Sequence, residues 1–303
     1  MNSISKLFQT FWINVHIFLI VWVVSFILLA LVSYAIPEKY QAKMILVTSE
    51  DSRNQFQSMG SAGALASLAG VSIESDASRS QKALTKIVSK SFFKDMISNH
   101  GDYLLPALVA PKNYEKENGT LRFNEKKYAN GVWYGKKDFD LSDKIFVEEA
   151  FEIYLKSLRV NENRMSKIIT ITYDHISPEF SYKILETILE QINKSQRDAD
   201  QTEAEFVIDF INNSLDNYSN EQLKGSAINL LERQLVKLMV TKSKKYYLLE
   251  PIDGPHIPAK RSFPSRSLIV LLGETLITLI LFLWLFFRKD QVNVDTVTKP
   301  NTI

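Results

Sequence analysis

The sequence predicts an α+β protein in which two transmembrane helices flank a soluble domain, and three observations predict it. Two runs are almost purely apolar, at residues 13–35 and 267–287. The roughly 230 residues between them are polar and combine strand-like segments with helical periodicities. One of these periodicities continues for about 40 residues. We therefore expect a small mixed sheet at the membrane-proximal base of the domain, with a long extended helix and a returning helix.

Each apolar run has the length of a membrane span. The first, residues 13–35, would form about 34 Å of helix, against a hydrocarbon core of roughly 30 Å. Trp12 and Tyr34 lie at its two ends, where aromatic rings favour the interface, and Pro37 then ends the helix. A cleaved signal peptide is the alternative for this run. Its apolar core exceeds the roughly 7–15 residues of a signal, and no small-residue cleavage site precedes Pro37.

The composition argues against several classes of function. The formal net charge is only +2, so no basic excess indicates nucleic-acid binding. The absence of cysteine leaves no disulfide framework and no thiol chemistry. No glycine-rich phosphate loop is present, and the four histidines lack a metal-binding spacing. We therefore expect no enzyme activity, and no catalytic, cofactor-binding or metal-binding residues.

The longest predicted helix begins at Ser177-Pro178, a helix cap followed by proline at the first helical position. Neither proline nor glycine interrupts the pattern through Asn217, which gives a rod of about 60 Å if it is continuous. Its middle, residues 193–205, is polar on nearly every face. Either this part is solvated or the helix breaks there, or it faces equivalent helices in an oligomer. A second helix at 220–241 has the length of an antiparallel return.

The rest of the domain contains shorter elements and one segment of unusual composition. The shorter elements are a strand at 40–48, a helix at 80–99 that Gly101 ends, irregular structure at 102–143, a short helix at 146–155, a hairpin of 158–160 with 168–173, and a last strand at 246–249. Residues 50–78 are rich in serine, alanine and glycine and include a small-residue loop, Leu68, Ala69 and Gly70. This segment is either a surface loop or a contact with another copy of the chain.

Two residues of the second apolar run are candidates for a role within the membrane. Gly273 would allow close approach of a neighbouring helix. Glu274 lies about 10 Å into its helix, and Ser25 falls at nearly the same depth in the first helix. Ser25 is therefore the expected partner of Glu274. Intramembrane acids are functional candidates, so the alternatives are an oligomer-interface or protonated-acid role and an acid that is tolerated because it snorkels.

The most specific motif is a proline-rich segment that leads into the second apolar run, with Pro251, Pro255, Pro258 and Pro264. Together with the membrane glycine Gly273, it resembles the corresponding segment of the polysaccharide co-polymerase, or Wzz-type chain-length regulator, family. Three further matches follow the order of that family: PEKYQA at residues 37–42, Leu68-Ala69-Gly70, and ITITYDHISP at residues 169–178. The resemblance therefore covers nearly the whole chain.

The resemblance implies a two-pass bacterial inner-membrane protein with cytoplasmic ends, residues 1–12 and 288–303, and a periplasmic domain at 37–266. It implies a homo-oligomer ring that works with a Wzy-type polymerase to set the length of a lipid-linked polysaccharide. The short tail resembles the kinase-free branch associated with O-antigen, and hence with lipopolysaccharide biosynthesis, or with similar glycans. The alternatives are a periplasmic adaptor of an export system, whose paired helices also form hairpins, and a periplasmic sensor.

Overall fold

The computed structural model describes residues 15–49, 76–129, 132–134, 144–163, 165–214 and 221–297. The predicted loop Leu68-Ala69-Gly70 lies outside these residues. The chain divides into two units: Met1–Lys39 together with Arg261–Ile303 form the first, and Tyr40–Lys260 form the second. In chain order the helices and strands are α1 (Val15–Ala35), β1 (Tyr40–Thr48), α2 (Asp76–Ile87), α3 (Lys90–Val109), β2 (Pro111–Glu115), β3 (Thr120–Phe123), β4 (Tyr128–Ala129), β5 (Val132–Trp133), α4 (Lys144–Ser157), β6 (Leu158–Glu162), β7 (Ile169–His175), α5 (Pro178–Ser214), α6 (Glu221–Ser243), β8 (Leu249–Asp253) and α7 (Arg266–Val297).

The first unit is a pair of apolar helices, α1 and α7, that contact each other. Within the described residues, Arg266–Trp284 is long and apolar enough to cross a membrane, with a mean hydropathy of 2.2, whereas the apolar part of α1, Leu19–Ala35, is shorter. The helix α7 continues to Val297, so the basic pair Arg288-Lys289 ends the apolar run but not the helix. Charged residues are compatible with helical structure, and no proline or glycine follows before residue 300.

The second unit is built on a four-stranded sheet with the strand order β6-β7-β1-β8. Every pair of neighbouring strands is antiparallel, so the predicted mixed sheet is wrong. The helix α5 follows β7 and packs back over β1 and β7. The chain thereby returns to the end of the sheet at which β7 began. As a result β8 runs in the direction of β7, and β1 lies between them with the opposite direction. When only the four strands of this sheet and the helices between them are counted, their order along the chain is β-α-β-β-α-β. This order is that of a ferredoxin-like fold.

The core lies between the sheet and the helices that pack on it. Along β1 and β7 the side chains alternate between buried and less buried positions, as a strand with one covered face requires. The buried strand residues include Met44, Leu46 and Ile171, and α5 covers them with Ile184 and Ile188, all of which are 0% exposed. The predicted hairpin of β6 and β7 is confirmed, with Val160 paired to Ile171.

The region between residues 80 and 143 is more regular than its sequence suggests. The predicted helix is two helices, α2 and α3, and the second passes through Gly101 and Pro106 to Val109. The stop predicted at Gly101 is a kink at the preceding residue, His100, whose φ and ψ are −136° and 16°. Helical structure resumes because Leu104, Leu105 and the residues after them are buried in the core. The predicted irregular region also contains two hairpins, β2–β3 and β4–β5.

The long helix α5 is continuous for 37 residues, or about 56 Å, so the predicted alternative of a break in its polar middle is wrong. Ser177 caps it by accepting a hydrogen bond from the Phe180 backbone at 3.1 Å. The helix α6 returns antiparallel to it. Lys237 of α6 binds Glu203 at 2.7 Å, and Lys244, which follows α6, accepts a bond from Arg197 through its carbonyl at 2.6 Å.

Asn193, at the start of the polar middle of α5, is buried and ties α5 to the last strand. Its side-chain oxygen accepts from the Leu248 and Leu249 amides at 2.7 and 3.1 Å, and its amide nitrogen donates to the Leu249 carbonyl at 2.9 Å. The strand β8 therefore begins at Leu249, later than the predicted strand at 246–249, because the preceding residues are held against α5.

Candidate functional site

The structure brings Ser25 and Glu274 together between the two helices of the first unit. Both side chains are 7% exposed. The Ser25 hydroxyl lies 2.9 Å from one carboxylate oxygen of Glu274 and 3.0 Å from the other, and donates to them. It lies 3.0 Å from the Trp22 carbonyl of its own helix as well. The pair joins α1 to α7 by a side-chain hydrogen bond in a surrounding that is otherwise apolar.

Gly273, the neighbour of Glu274, is a point of close approach between the same helices. A Cβ atom placed on Gly273 would lie 2.6 and 2.8 Å from the two terminal carbons of Leu29 on α1. Real Cβ atoms do not come this close to other atoms, so any larger residue requires Leu29 to move. Gly273, Glu274 and Ser25 thus form one contact region between α1 and α7.

A cluster of charged residues at the start of α7 was not predicted as part of the site. Glu38 binds Arg261 at 2.6 Å and Arg266 at 2.8 Å. The guanidinium of Arg266 lies 4.7 Å from the centre of the Tyr34 ring, which is a cation–π contact. The sequence places Tyr34 and Glu38 at the end of one apolar run and both arginines before the other, which is the signal that could have revealed this cluster.

A groove of about 710 Å³ runs along the helix pair between Arg266 and Glu274. Trp22, Phe26 and Leu271 contribute apolar surface to it. The groove therefore presents apolar surface with one basic and one acidic group about 12 Å apart along α7.

The four prolines of the predicted lead-in do not form one site. Pro251 lies within β8, which is an edge strand of the sheet, where a residue without a backbone N–H is tolerated. Pro255 and Pro258 follow in a segment without helix or strand. Pro264 belongs to the first unit and is buried there, after a cis peptide bond with Phe263.

The helix pair α5–α6 carries exposed apolar side chains. Phe206 is 72% and Phe210 57% exposed on α5, and Met239 is 67% exposed on α6. Phe206 and Phe210 are four residues apart and so share one face of α5. Large exposed aromatic residues on a shared face are typical of a surface that binds another protein.

No protein-family model matches the sequence, and no curated protein matches it either. Among solved structures, the chain is similar to one named full-length bacterial polysaccharide co-polymerase, at 11% identity and a TM-score of 0.39, with 94% of this chain and 97% of that chain covered. It is also similar to a fragment of WzzB, a polysaccharide co-polymerase from Salmonella Typhimurium, at 14% identity and a TM-score of 0.31, with 75% and 100% covered. Both structures are named as polysaccharide co-polymerases, the family that the sequence resembles.

Proposed function

We propose that this chain is a non-catalytic co-polymerase that regulates the chain length of a lipid-linked surface polysaccharide, O-antigen or a similar glycan. It acts as a homo-oligomer with a Wzy-type polymerase in the bacterial inner membrane. The helices α1 and α7 are its two membrane spans, residues 37–266 are periplasmic, and both termini are cytoplasmic.

The observation that carries this proposal is the order of elements along the chain. The apolar helix α1 leads to the strand β1, and the strand β7 leads into the long antiparallel helix pair α5–α6. The strand β8, which neighbours β1, and a proline-rich segment then lead to the second apolar helix, α7. The motifs that resemble the co-polymerase family fall on these elements in the same order, with PEKYQA before and in β1, ITITYDHISP in β7 and at the start of α5, and Gly273 in α7.

The exposure of the first unit supports the membrane assignment. Leu19, Ile27 and Leu31 of α1 and Leu271 and Leu279 of α7 are among many apolar side chains that are more than half exposed. A core helix of a soluble protein would bury such residues, whereas a lipid environment accepts them. In lipid, the Ser25–Glu274 bond and the contact at Gly273 would hold the two spans together.

The geometry of the second unit supports an assembling partner. The rod formed by α5 and α6 presents Phe206, Phe210 and Met239 outward. A second copy of the chain would cover these residues and so set many copies around a common axis. Such a ring would act by positioning the polymerase and its glycan, without catalysing a reaction itself.

A deletion strain tests the proposal directly. Its surface polysaccharide, resolved on a gel, should still be present but should lose its preferred length, and the gene supplied in trans should restore that length. The alternative, an adaptor of an export system, is suggested by the hairpin of α5 and α6. It predicts instead that polysaccharide disappears from the surface and accumulates inside the cell. An unchanged length pattern in the deletion strain would contradict the proposed function.

A further inference from the structure

The second unit contains a cleft of about 540 Å³ that the proposed function does not explain. It lies where the kinked part of α3, at Asn99 and His100, meets α5 and the residues Lys245 and Tyr246 before β8. Sites for small ligands have volumes of roughly 300–1,000 Å³ and contain a few placed polar groups. The cleft therefore has the size of a ligand site, and its lining determines which ligand it fits.

Gln191 is the most informative residue of that lining. Its side chain is only 7% exposed, yet none of the hydrogen bonds among the described residues involves its amide. Asn193 lines the same cleft, and its amide is fully used by α5 and the start of β8. Neither amide atom of Gln191 is among the fully buried side-chain atoms without a partner in the described residues, so the amide is accessible from the cleft. Gln191 is thus a donor and acceptor available to a bound molecule.

The charge of the lining favours an anionic ligand. Lys194, Arg197 and Lys245 contribute three cations, against one carboxylate, that of Glu190. None of these cations takes part in an ion pair within the part of the chain that the structure describes. Arg197 is held in place because it donates to the carbonyls of Lys244 and Lys245 at 2.6 and 2.8 Å. Its position therefore does not depend on a ligand.

The remaining groups suit a sugar. The ring of Tyr246 lies 5.1 Å from the Lys245 ammonium and offers an apolar surface beside a cation. Amide and carboxylate groups such as those of Gln191 and Glu190 exchange hydrogen bonds with hydroxyls. Lysine and arginine bind carboxylate or phosphate groups. We propose that this cleft binds an acidic sugar residue, bearing carboxylate or phosphate, of the polysaccharide itself.

This inference rests on the proposed function for the identity of the polymer, and adds that the chain contacts the glycan at a defined place. It is tested in cells with the full-length protein and its own polysaccharide. A photo-crosslinking amino acid at position 190 should capture a ladder of adducts that stains as polysaccharide. The same amino acid at position 156, which carries an exposed lysine on α4 outside the cleft, should capture none. No ladder at position 190 in correctly assembled protein would overturn the proposal.

Variants of the lining then test the chemistry. Gln191→Leu removes no internal hydrogen bond found among the described residues. If Gln191 does not contact the ligand, this variant should therefore leave both folding and capture unchanged. Ligand binding predicts unchanged folding with capture at position 190 reduced at least about tenfold, since a lost hydrogen bond to a charged or buried partner has that effect. Capture by Gln191→Leu at the level of the unsubstituted protein would contradict the proposal.

The double variant Lys194→Gln/Lys245→Gln tests the acidic character of the sugar, with Lys156→Gln as the matched control. We expect the double variant to lose capture and the control to retain it, and equal capture by both would overturn the assignment of an acidic sugar. The deletion strain separates the two proposals. If deletion removes the preferred length while no lining variant changes capture or length, the regulator function stands, and the assignment of the cleft as a glycan-binding site is wrong. If deletion changes nothing, the regulator function itself is wrong.

Discussion

At the scale of single residues, the contact between Gly273 and Leu29 makes a prediction about packing. Gly273→Leu would place several atoms where the Leu29 side chain now lies, and overpacking of this kind destabilises by about 1–3 kcal/mol. We expect this variant to shift the chain-length distribution while polysaccharide is still made. The change is measured on a gel at matched protein levels.

Leu29→Ala supplies the matched control, because it removes the side chain that a larger residue at 273 would meet. The double variant Gly273→Leu/Leu29→Ala should therefore return the distribution toward its normal form. If Gly273→Leu alone leaves the pattern unchanged at normal protein levels, close packing at this glycine has no role in length control.

Glu274 and Ser25 make a prediction about hydrogen bonding between the same helices. Glu274→Gln keeps the shape and an acceptor for the Ser25 hydroxyl, so its effect should be mild. Ser25→Ala removes the donor found among the described residues and should destabilise the helix pair by about 1–3 kcal/mol. Glu274→Leu should alter the length distribution, which a gel reports together with the protein level.

The double variant Ser25→Ala/Glu274→Leu separates a structural role from a functional one. Replacing both partners by apolar groups removes the unsatisfied polar atom, so the protein level should recover. If the length pattern recovers with it, the pair only stabilises the helices. If Glu274→Leu alone supports a normal pattern at a normal level, α7 is an anchor, and length control resides in the second unit.

At the scale of elements, the helix pair α5–α6 predicts self-association. Phe206→Ser with Phe210→Ser removes two aromatic side chains from one exposed face of α5. Aromatic residues dominate the binding energy of many interfaces, and a loss of about 1.4 kcal/mol weakens association about tenfold. Native mass analysis in mild detergent should therefore show a homo-oligomer for the natural protein and smaller species for the double variant.

The control for this experiment is Met165→Ser, which changes a side chain that is 97% exposed but lies outside the helix pair, between β6 and β7. It should assemble like the natural protein. A monomer across several mild detergents would contradict the ring proposed for this chain. Full assembly of the Phe206/Phe210 variant would place the interface elsewhere.

At the scale of the whole molecule, the proposed function predicts the topology. A reporter that is active only in the periplasm should work when it is inserted in the exposed turn between β2 and β3, at residues 116–119. The same reporter should be silent after residue 303. A fusion at the end of the chain is preferable to one after Lys289, because α7 continues to Val297. The reverse pattern would overturn both the topology and the proposed function.

Features that depend only on residues close together in the chain were determined by the sequence alone. The length of each apolar run, the Ser177 cap of α5 and the alternation of β7 follow from local periodicity and composition. The pairing of Ser25 with Glu274 was also accessible, because two antiparallel helices of known length bring residues of equal depth together. These are the parts of the fold and of the candidate site that could be predicted.

Other features were decided only by the tertiary structure, because their causes lie far apart in the chain. The polar middle of α5 stays helical where Asn193 binds Leu248 and Leu249, which lie 55 and 56 positions later in the chain. No local pattern in the sequence indicates that contact. The kink at His100 replaces a helix end because the residues after it are buried in the core. The strand directions follow from where α5 returns the chain. The cleft at Gln191 exists because three separate segments meet there, and burial against distant residues is the one property that a reading of neighbouring residues does not contain.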